Sequence, residues 1–591
     1  MIPKMMRSIC PYVFWITILI IIATPAFASL LRQGYFSMHD DQHVVRLHLL
    51  HQSIMQGVLF PRWVDGLGFG YGYPLFNFYP PFIYYVAEIF HLTGISLIWS
   101  LKFMLITGFI TAAFGMYLLG TKLFDRFVGV LSATLYTYFF YHAVNAYVRG
   151  AFAEFISMSV LPFIFHASQL LYENQNTKRV TYLGVGFAVL ILTHPLIAFP
   201  SLIFIGIFEF YHLITAQNKF KFLFFSAAAY LIGLGLSAFF WLPSMFERSY
   251  TFVDDILTKE LASYLIHFVY PQQLLSSLWG YGGSIAGPND GITFQLGNAH
   301  ILLLITSIIL FIVVKIIYSE DSKTSQMLII TAMFAISIFM MIPLSNQLWN
   351  NISFLWYLQF PWRFMTFAGI FLSIIAAASI YYMKYFVPQF IRILVLLIFI
   401  LMTVSIYGKY FQPRQFIDVG DDSRITKEEI SWRISKSSFE FVPKGIKTKK
   451  TKYNTTALAI EKSNIPFKLF QVENSVNVKV EKDIAQKKIF NIDSPINTVF
   501  RLNTFYFPGW NGYARANNSK NWTKLIITDE NDLKLITSAI PKGKYQLKFA
   551  FEDTGIRKFS NTISQITVII VLFLLLSLKG SIILYIRRRI V

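Results

Sequence analysis

Two adjacent aspartates, Asp40 and Asp41, sit near the head of a segment from Ser37 to Pro81 that also carries His39, His43, His48, His51, Arg46 and Arg62. An aspartate is a common side chain for taking a proton from an attacking hydroxyl, and imidazoles or guanidinium groups beside it tune its basicity. The same carboxylate pair with nearby histidines could instead hold a divalent cation. As plain loop acids the two would only be solvated. Either aspartate could be the base. His43 and Arg46 share a face of HVVRLHLLHQSI (43–54) and lie closest to the aspartates, so both are candidates to contact a substrate. His48 and His51, three apart, suit lipid headgroups on a short amphipathic helix lying at an interface. GFGYGYPLFNFYPP (68–81) adds glycines that let a backbone approach a ligand, with Tyr71, Tyr73 and Tyr79 as rings that stack on sugars or pack on a membrane surface.

Other polar residues stand where apolar ones would be cheaper: Arg149 and Glu154 in VRGAFAEF, His194 in LTHPLIAF, Glu247 and Arg248 in WLPSMFERS, and Arg363 in LQFPWRF. Ionisable groups at such depth usually face a bundle interior or a wet cavity. The alternative is pairwise ion pairing or snorkelling to the interface. Convergence of these groups would make an anion site, and Arg363 leads because a guanidinium clamps a phosphate through two hydrogen bonds.

A membrane scaffold must position all of these. The 591 residues are 55% hydrophobic and 14% charged, with 60 Phe, 32 Tyr and a single Cys. That excludes a string of soluble domains, an internal disulfide and a cysteine metal site. The net charge of +20 is dispersed between apolar runs without a nucleic-acid fold signature, so anionic lipid rather than nucleic acid is the partner it suits. A helix needs about 20 apolar residues to cross a bilayer. Twelve spans are expected, at 11–31, 96–118, 127–142, 151–171, 181–196, 197–214, 222–243, 299–317, 327–343, 364–383, 391–407 and 562–586. The first could be a cleaved leader ending in TPAFA, and the two runs around His194 and Pro195 could be one broken helix.

With the N-terminus inside, Lys122, Arg126, Lys178, Arg179, Lys219, Lys221, Lys323, Lys384 and the tail Arg587 to Arg589 fall on the inner side, which the positive-inside rule favours. The site residues then share the outer side. Three units follow: a multi-span domain at 1–407 with an outer loop at 32–95, an outer β-sandwich-like domain at 408–561, and a final helix with a basic tail at 562–591. Alternating runs such as SVNVKVEK (475–482), LKLITSAI (533–540) and YQLKFAFED (545–553) read as half-buried strands.

The sequence also carries HDDQHVVR, GVLFPRW, GYGYP, FYPP, THPL, LPSMFER, FPWRF, YFPGW and DTGIRKFSNTIS. In this combination it resembles the bacterial YfhO-like membrane proteins, and among them a 6-pyruvoyl-tetrahydropterin-synthase-related membrane family, from about residue 34 to the C-terminus. That label does not carry the zinc chemistry of the soluble synthase. The resemblance implies a GT-C glycosyltransferase architecture: many helices, an acidic residue in the first outer loop, a polyprenyl-phosphate-linked sugar as donor and a C-terminal soluble domain. Asp40 or Asp41 would take the acidic position. The expected function is sugar transfer to an envelope acceptor on the outer face of a bacterial cytoplasmic membrane, with a divalent cation as the only cofactor considered. A flippase for a lipid-linked substrate and a non-catalytic envelope assembly protein are the alternatives.

Overall fold

The computed structural model describes residues 2–318, 323–452, 455–517 and 519–590. The side chains of Lys4, Arg7 and Arg587 to Arg589, part of the expected charge pattern, lie outside what is described.

The expected spans become the helices Ile2–Phe27, Leu97–Leu123, Phe152–Glu173, Pro195–Thr215, Lys219–Glu247, Asn298–Tyr318, Thr324–Met341, Met365–Tyr382, Gln389–Tyr407 and Gly555–Ile590. Polar caps set several starts. Ser96, Asp125, Asn176 and Asn218 each accept a backbone N–H of the first turn they precede.

Two expected spans differ. That at 127–142 is broken into Arg126–Thr137 and Phe140–Arg149, which meet at 43°, and the second piece ends in a π-helical turn, Val144–Arg149. That at 181–196 is Thr177–Thr193, only 17 residues long. It stops there because Pro195 lacks an N–H and forces His194 into extended backbone, φ −158° and ψ 92°. Among the described residues ten helices are long and apolar enough to cross a membrane, and the bent pair makes an eleventh. Thr177–Thr193, too short to be counted with them, packs along both Phe152–Glu173 and Lys219–Glu247. Met365–Tyr382 is buried on every side and is the axis of the bundle.

The helix His43–Met55 was expected at a lipid interface. It is instead interior: eight of its thirteen side chains are buried, His43 and Arg46 among them.

Among the described residues twelve strands, β1 to β12 in chain order, complete the fold. β1 (Tyr35–Phe36) pairs antiparallel with β2 (Phe416–Ile417), tying the first outer loop to the chain after the Gln389–Tyr407 helix. β3 (Thr448–Lys450) and β4 (Thr456–Leu458) form a hairpin. β6 (Asn477–Ile484), β7 (Lys487–Ser494), β9 (Trp510–Ala516), β10 (Thr523–Leu525) and β12 (Gly543–Phe551) form a five-stranded sheet in the order β10-β9-β12-β7-β6. β5 (Phe470–Gln471), β8 (Thr498–Phe505) and β11 (Leu535–Ile540) form a three-stranded one in the order β11-β8-β5. Phe490 of the larger sheet meets Phe470 and Phe500 of the smaller at 5.5 and 5.1 Å between ring centroids, and Phe549 meets Phe500 at 5.8 Å, so the two sheets face each other across an aromatic core.

The last helix is locked to Lys219–Glu247. The Ser564 hydroxyl donates to Gly235 O at 2.8 Å and accepts Phe239 N–H at 2.9 Å, so it stands inside that helix's own hydrogen-bond ladder.

Candidate active site

Arg149 closes the π-helical turn, and Gly150 behind it adopts a left-handed φ of 69°. A Cβ on Gly150 would lie 2.6 Å from Met38 Sδ. Only glycine lets the first outer loop pack this closely. The N–H groups of His39 and Asp40 then donate to the carbonyls of Val148 and Arg149, at 3.1 and 2.8 Å. His43 lies 2.6 Å from Gly150 O through Nε2 and 3.0 Å from the Tyr84 hydroxyl through Nδ1. Burial, with the Arg46 charge adding to it, pushes the His43 ring down to about 3, so His43 is a neutral anchor of the loop.

This clamp holds Asp40 at the mouth of a cavity of about 430 Å³, which is lined also by Tyr79, Arg149, Glu154, His194, Arg248, Arg363 and Glu440. Six sequence candidates (Asp40, Tyr79, Arg149, His194, Arg248 and Arg363) therefore share one space. Its far wall is apolar, with Ile191, Leu196, Leu202 and Leu234. Leu202 and Leu234 are also exposed on the flank of the bundle, so this end faces the surrounding lipid.

The cavity lining sets three arginines, Arg149, Arg248 and Arg363, against three carboxylates, Asp40, Glu154 and Glu440. Glu154 is fully buried, and one of its oxygens takes both Arg149 at 2.9 Å and Arg363 at 3.3 Å, while the Tyr141 hydroxyl donates to the other. Two guanidinium groups thus share one carboxylate. Arg363 also donates to Leu358 O at 2.8 Å. Between them Gln359 forms a γ-turn, φ 62° and ψ −46°, closed by Phe360 N–H to Leu358 O at 2.6 Å. This conformation is strained for a non-glycine residue. Arg248, more exposed, lies 3.5 Å from Asp254 and 4.7 Å from the centre of the Tyr357 ring.

The roof comes from the segment after the Gln389–Tyr407 helix. Glu440 accepts the Ser438 hydroxyl at 3.0 Å and lies 3.8 Å from Arg46, which donates to the same hydroxyl at 2.9 Å and covers the Tyr79 ring at 4.0 Å. Burial pushes the Glu440 carboxyl above the ordinary glutamate value, with Arg46 offsetting part of it.

The other candidates sit elsewhere. Asp41 turns away from Asp40 to pair with Arg424 and Arg433. Arg62 donates to Asn77, Asn561 and Phe239 O, a carbonyl without a helical partner because Pro243 has no N–H. Glu247 accepts from Asn77, Thr554 and Arg557 and ties the outer loop to the last helix. The Tyr71 hydroxyl donates to Asn464 O and its ring meets Phe505. Tyr73 packs on Phe441. Among the described residues no three His, Cys, Asp or Glu side chains come together as a metal site.

Glu154 was visible beside Arg149 in VRGAFAEF but not as the carboxylate two arginines share. Glu440 and Gln359 were missed altogether. Gln359 directly precedes FPWRF, whereas Glu440 is a lone acid among serines and lysines in SKSSFEFVPK.

Among solved structures the similarity is low. The arabinofuranosyltransferase AftD from Mycobacteria aligns with a TM-score of 0.47 at 10% identity, over 68% of this chain and 27% of that one. The oligosaccharyltransferase of Archaeoglobus fulgidus in the apo form gives 0.41 at 13% identity, over 68% and 56%. The archaeal oligosaccharyltransferase AglB from the same organism, in complex with an inhibitory peptide and a dolichol-phosphate, gives 0.38 at 13%, over 70% and 56%. The chain thus spans from about a quarter to about half of the length of these proteins. A sequence search of curated proteins returns no match. Residues 76–412, more than half of the chain, match the family described as 6-pyruvoyl-tetrahydropterin synthase related domain, membrane protein, and the chain belongs to that family.

Proposed function

We propose that this protein is a membrane glycosyltransferase that moves a sugar from a polyprenyl-phosphate-linked donor to an envelope acceptor. The observation that carries this reading is the make-up of this cavity: the exposed Asp40 carboxylate, two guanidinium groups on the single Glu154 carboxylate, and an apolar end toward lipid. In this reading the lipid tail runs along Leu202 and Leu234, and the phosphate meets Arg149, Arg363 and Arg248. Asp40 takes the proton of the acceptor hydroxyl as that oxygen bonds to the sugar carbon and the sugar–phosphate bond breaks. Fixed charges in such a site act without reorganising, which is where they lower a barrier most. Tyr79 and Glu440 offer a ring face and a hydrogen-bond acceptor to the sugar or the acceptor.

The cavity and the sheets belong on the outer side of a bacterial cytoplasmic membrane in this reading, because Lys122, Arg126, Lys178, Arg179, Lys219 and Lys221 lie at the opposite ends of the helices. The test is consumption of a panel of polyprenyl-phosphate sugars by protein in vesicles. Release of lipid phosphate by wild type and its loss in Arg363→Ala supports the transferase. A donor that crosses the membrane with its sugar intact points to transport and defeats the reading.

A further inference from the structure

A second polar cluster lies at the other end of the same helices. Ser168 stands roughly 21 Å along its helix from Glu154, at 1.5 Å per residue. Glu209, on Pro195–Thr215, receives three hydroxyls: Ser168 at 2.6 Å and Tyr230 at 2.8 Å on Oε1, and Ser226 at 2.7 Å on Oε2. One turn on, fully buried His212 has Nδ1 3.3 Å from Ser168 Oγ and Nε2 3.0 Å from Gln169 Oε1. Gln169 Nε2 donates to Glu173 Oε1 at 3.3 Å, and the other Glu173 oxygen lies 2.5 Å from Lys122 Nζ.

The hydrogens along this chain can be counted. Glu173, paired with Lys122, only accepts, so Gln169 turns its NH₂ to Glu173 and its carbonyl to His212. A carbonyl only accepts, so His212 Nε2 carries a hydrogen. Ser168 has one hydrogen to place between Glu209 and His212 Nδ1. If it points to His212, Glu209 faces the Ser168 oxygen as a carboxylic acid and donates. If it points to Glu209, His212 Nδ1 must donate and the ring is a cation. The two arrangements hold the same protons. They interconvert when Glu209 gives its hydrogen to Ser168 as Ser168 passes its own to Nδ1.

Among the described residues no cation forms an ion pair with Glu209, whose partners are the three hydroxyls. The Lys219–Glu247 helix turns Ser226 and Tyr230 to it, and its own helix adds Tyr211 beside His212. The Phe152–Glu173 helix presents Tyr172, stacked on His212 at 4.5 Å, and Glu173, already held by Lys122. A bare carboxylate in a bilayer interior is costly and marks function by default.

We propose that Glu209, Ser168 and His212 form an intramembrane proton-binding site that holds one exchangeable proton, separate from the cavity. The test treats the full protein in vesicles with N,N′-dicyclohexylcarbodiimide, an apolar reagent that adds to protonated carboxyl groups in lipid, and maps the adduct by mass spectrometry over roughly pH 5 to 9. Glu209 is expected to be modified in wild type and not in Glu209→Gln. With the proton no longer shared, His212→Gln should be modified roughly twofold faster or more. Ser168→Ala cuts the relay with both end groups in place and should show the same rise, which keeps the test open should His212→Gln not fold. No adduct on Glu209 in any protein, or equal rates in wild type and the folded relay variant, overturns the proposal.

Discussion

Arg363 Nε lies 3.3 Å from Glu154 Oε2, the oxygen that also takes Arg149 at 2.9 Å. A residue at a helix end and one just before a helix start thus meet on one buried carboxylate. Removing that carboxylate leaves two guanidinium groups buried without an anion, and breaking a buried pair in this way costs about 3–5 kcal/mol. Glu154→Gln should lower the thermal unfolding temperature in detergent far more than Arg149→Gln, which leaves the Glu154–Arg363 pair. Equal stability of Glu154→Gln and wild type would remove Glu154 as the shared counter-charge.

Asp41 behaves as a strut. Its pairs with Arg424 and Arg433 sit at partly exposed positions, where such bridges contribute about 0.2–1 kcal/mol. Asp41→Asn should keep sugar transfer and unfold close to wild type, while limited proteolysis cuts the segment around Arg424 to Arg433 sooner.

Gly150 sets the distance between the first outer loop and Arg149. Gly150→Ala forces a side chain into a left-handed φ of 69° and a Cβ to 2.6 Å from Met38 Sδ. The backbone term alone costs about 1–3 kcal/mol. Because Asp40 hangs on the Arg149 carbonyl next door, transfer should fall more steeply than stability does. Met38→Ala in the same chain should relieve the contact and leave the backbone cost, which a paired activity and unfolding measurement separates.

His43 ties stability to pH. Its ring is held down to about 3 in the fold by burial, with Arg46 adding to it, against about 6.5 when unfolded. The unfolded chain therefore gains a proton first as pH falls. The His43 contribution is fully present above pH ~6.5 and is lost toward pH ~3, at up to about 1.4 kcal/mol per pH unit. His43→Gln should flatten that part of the stability profile, as measured by unfolding at a series of pH values.

Much of the scaffold was legible because lipid leaves a helix little choice: long apolar runs with basic residues between them gave the helices and their order. The break at His194–Pro195 was legible too, since proline cannot continue the helix. The 43° bend and the π-helical turn were not, because nothing in YHAVNAYVRG except Gly150 marks them. Reading polar groups at helix ends together placed Arg149, His194, Arg248 and Arg363 on the side of Asp40, and the cavity brings these five together with Tyr79. Arg62 and Glu247 read the same way yet serve the seam with the last helix. Their partners Asn77, Asn561, Thr554 and Arg557 are polar residues whose proximity only the fold creates. Glu440 was missed because its segment looked like part of a separate domain, whereas β1 and β2 tie that segment to the outer loop and so over the cavity.

The most direct test of the proposed chemistry is the rate of sugar transfer by Asp40→Asn beside Asp41→Asn, in vesicles with a donor that wild type consumes and with folding checked by thermal unfolding. The expected result is a loss of about 10² to 10⁴ in rate for Asp40→Asn, with Asp41→Asn near wild type. Transfer by a folded Asp40→Asn at the wild-type rate would contradict the assignment of Asp40 as the base.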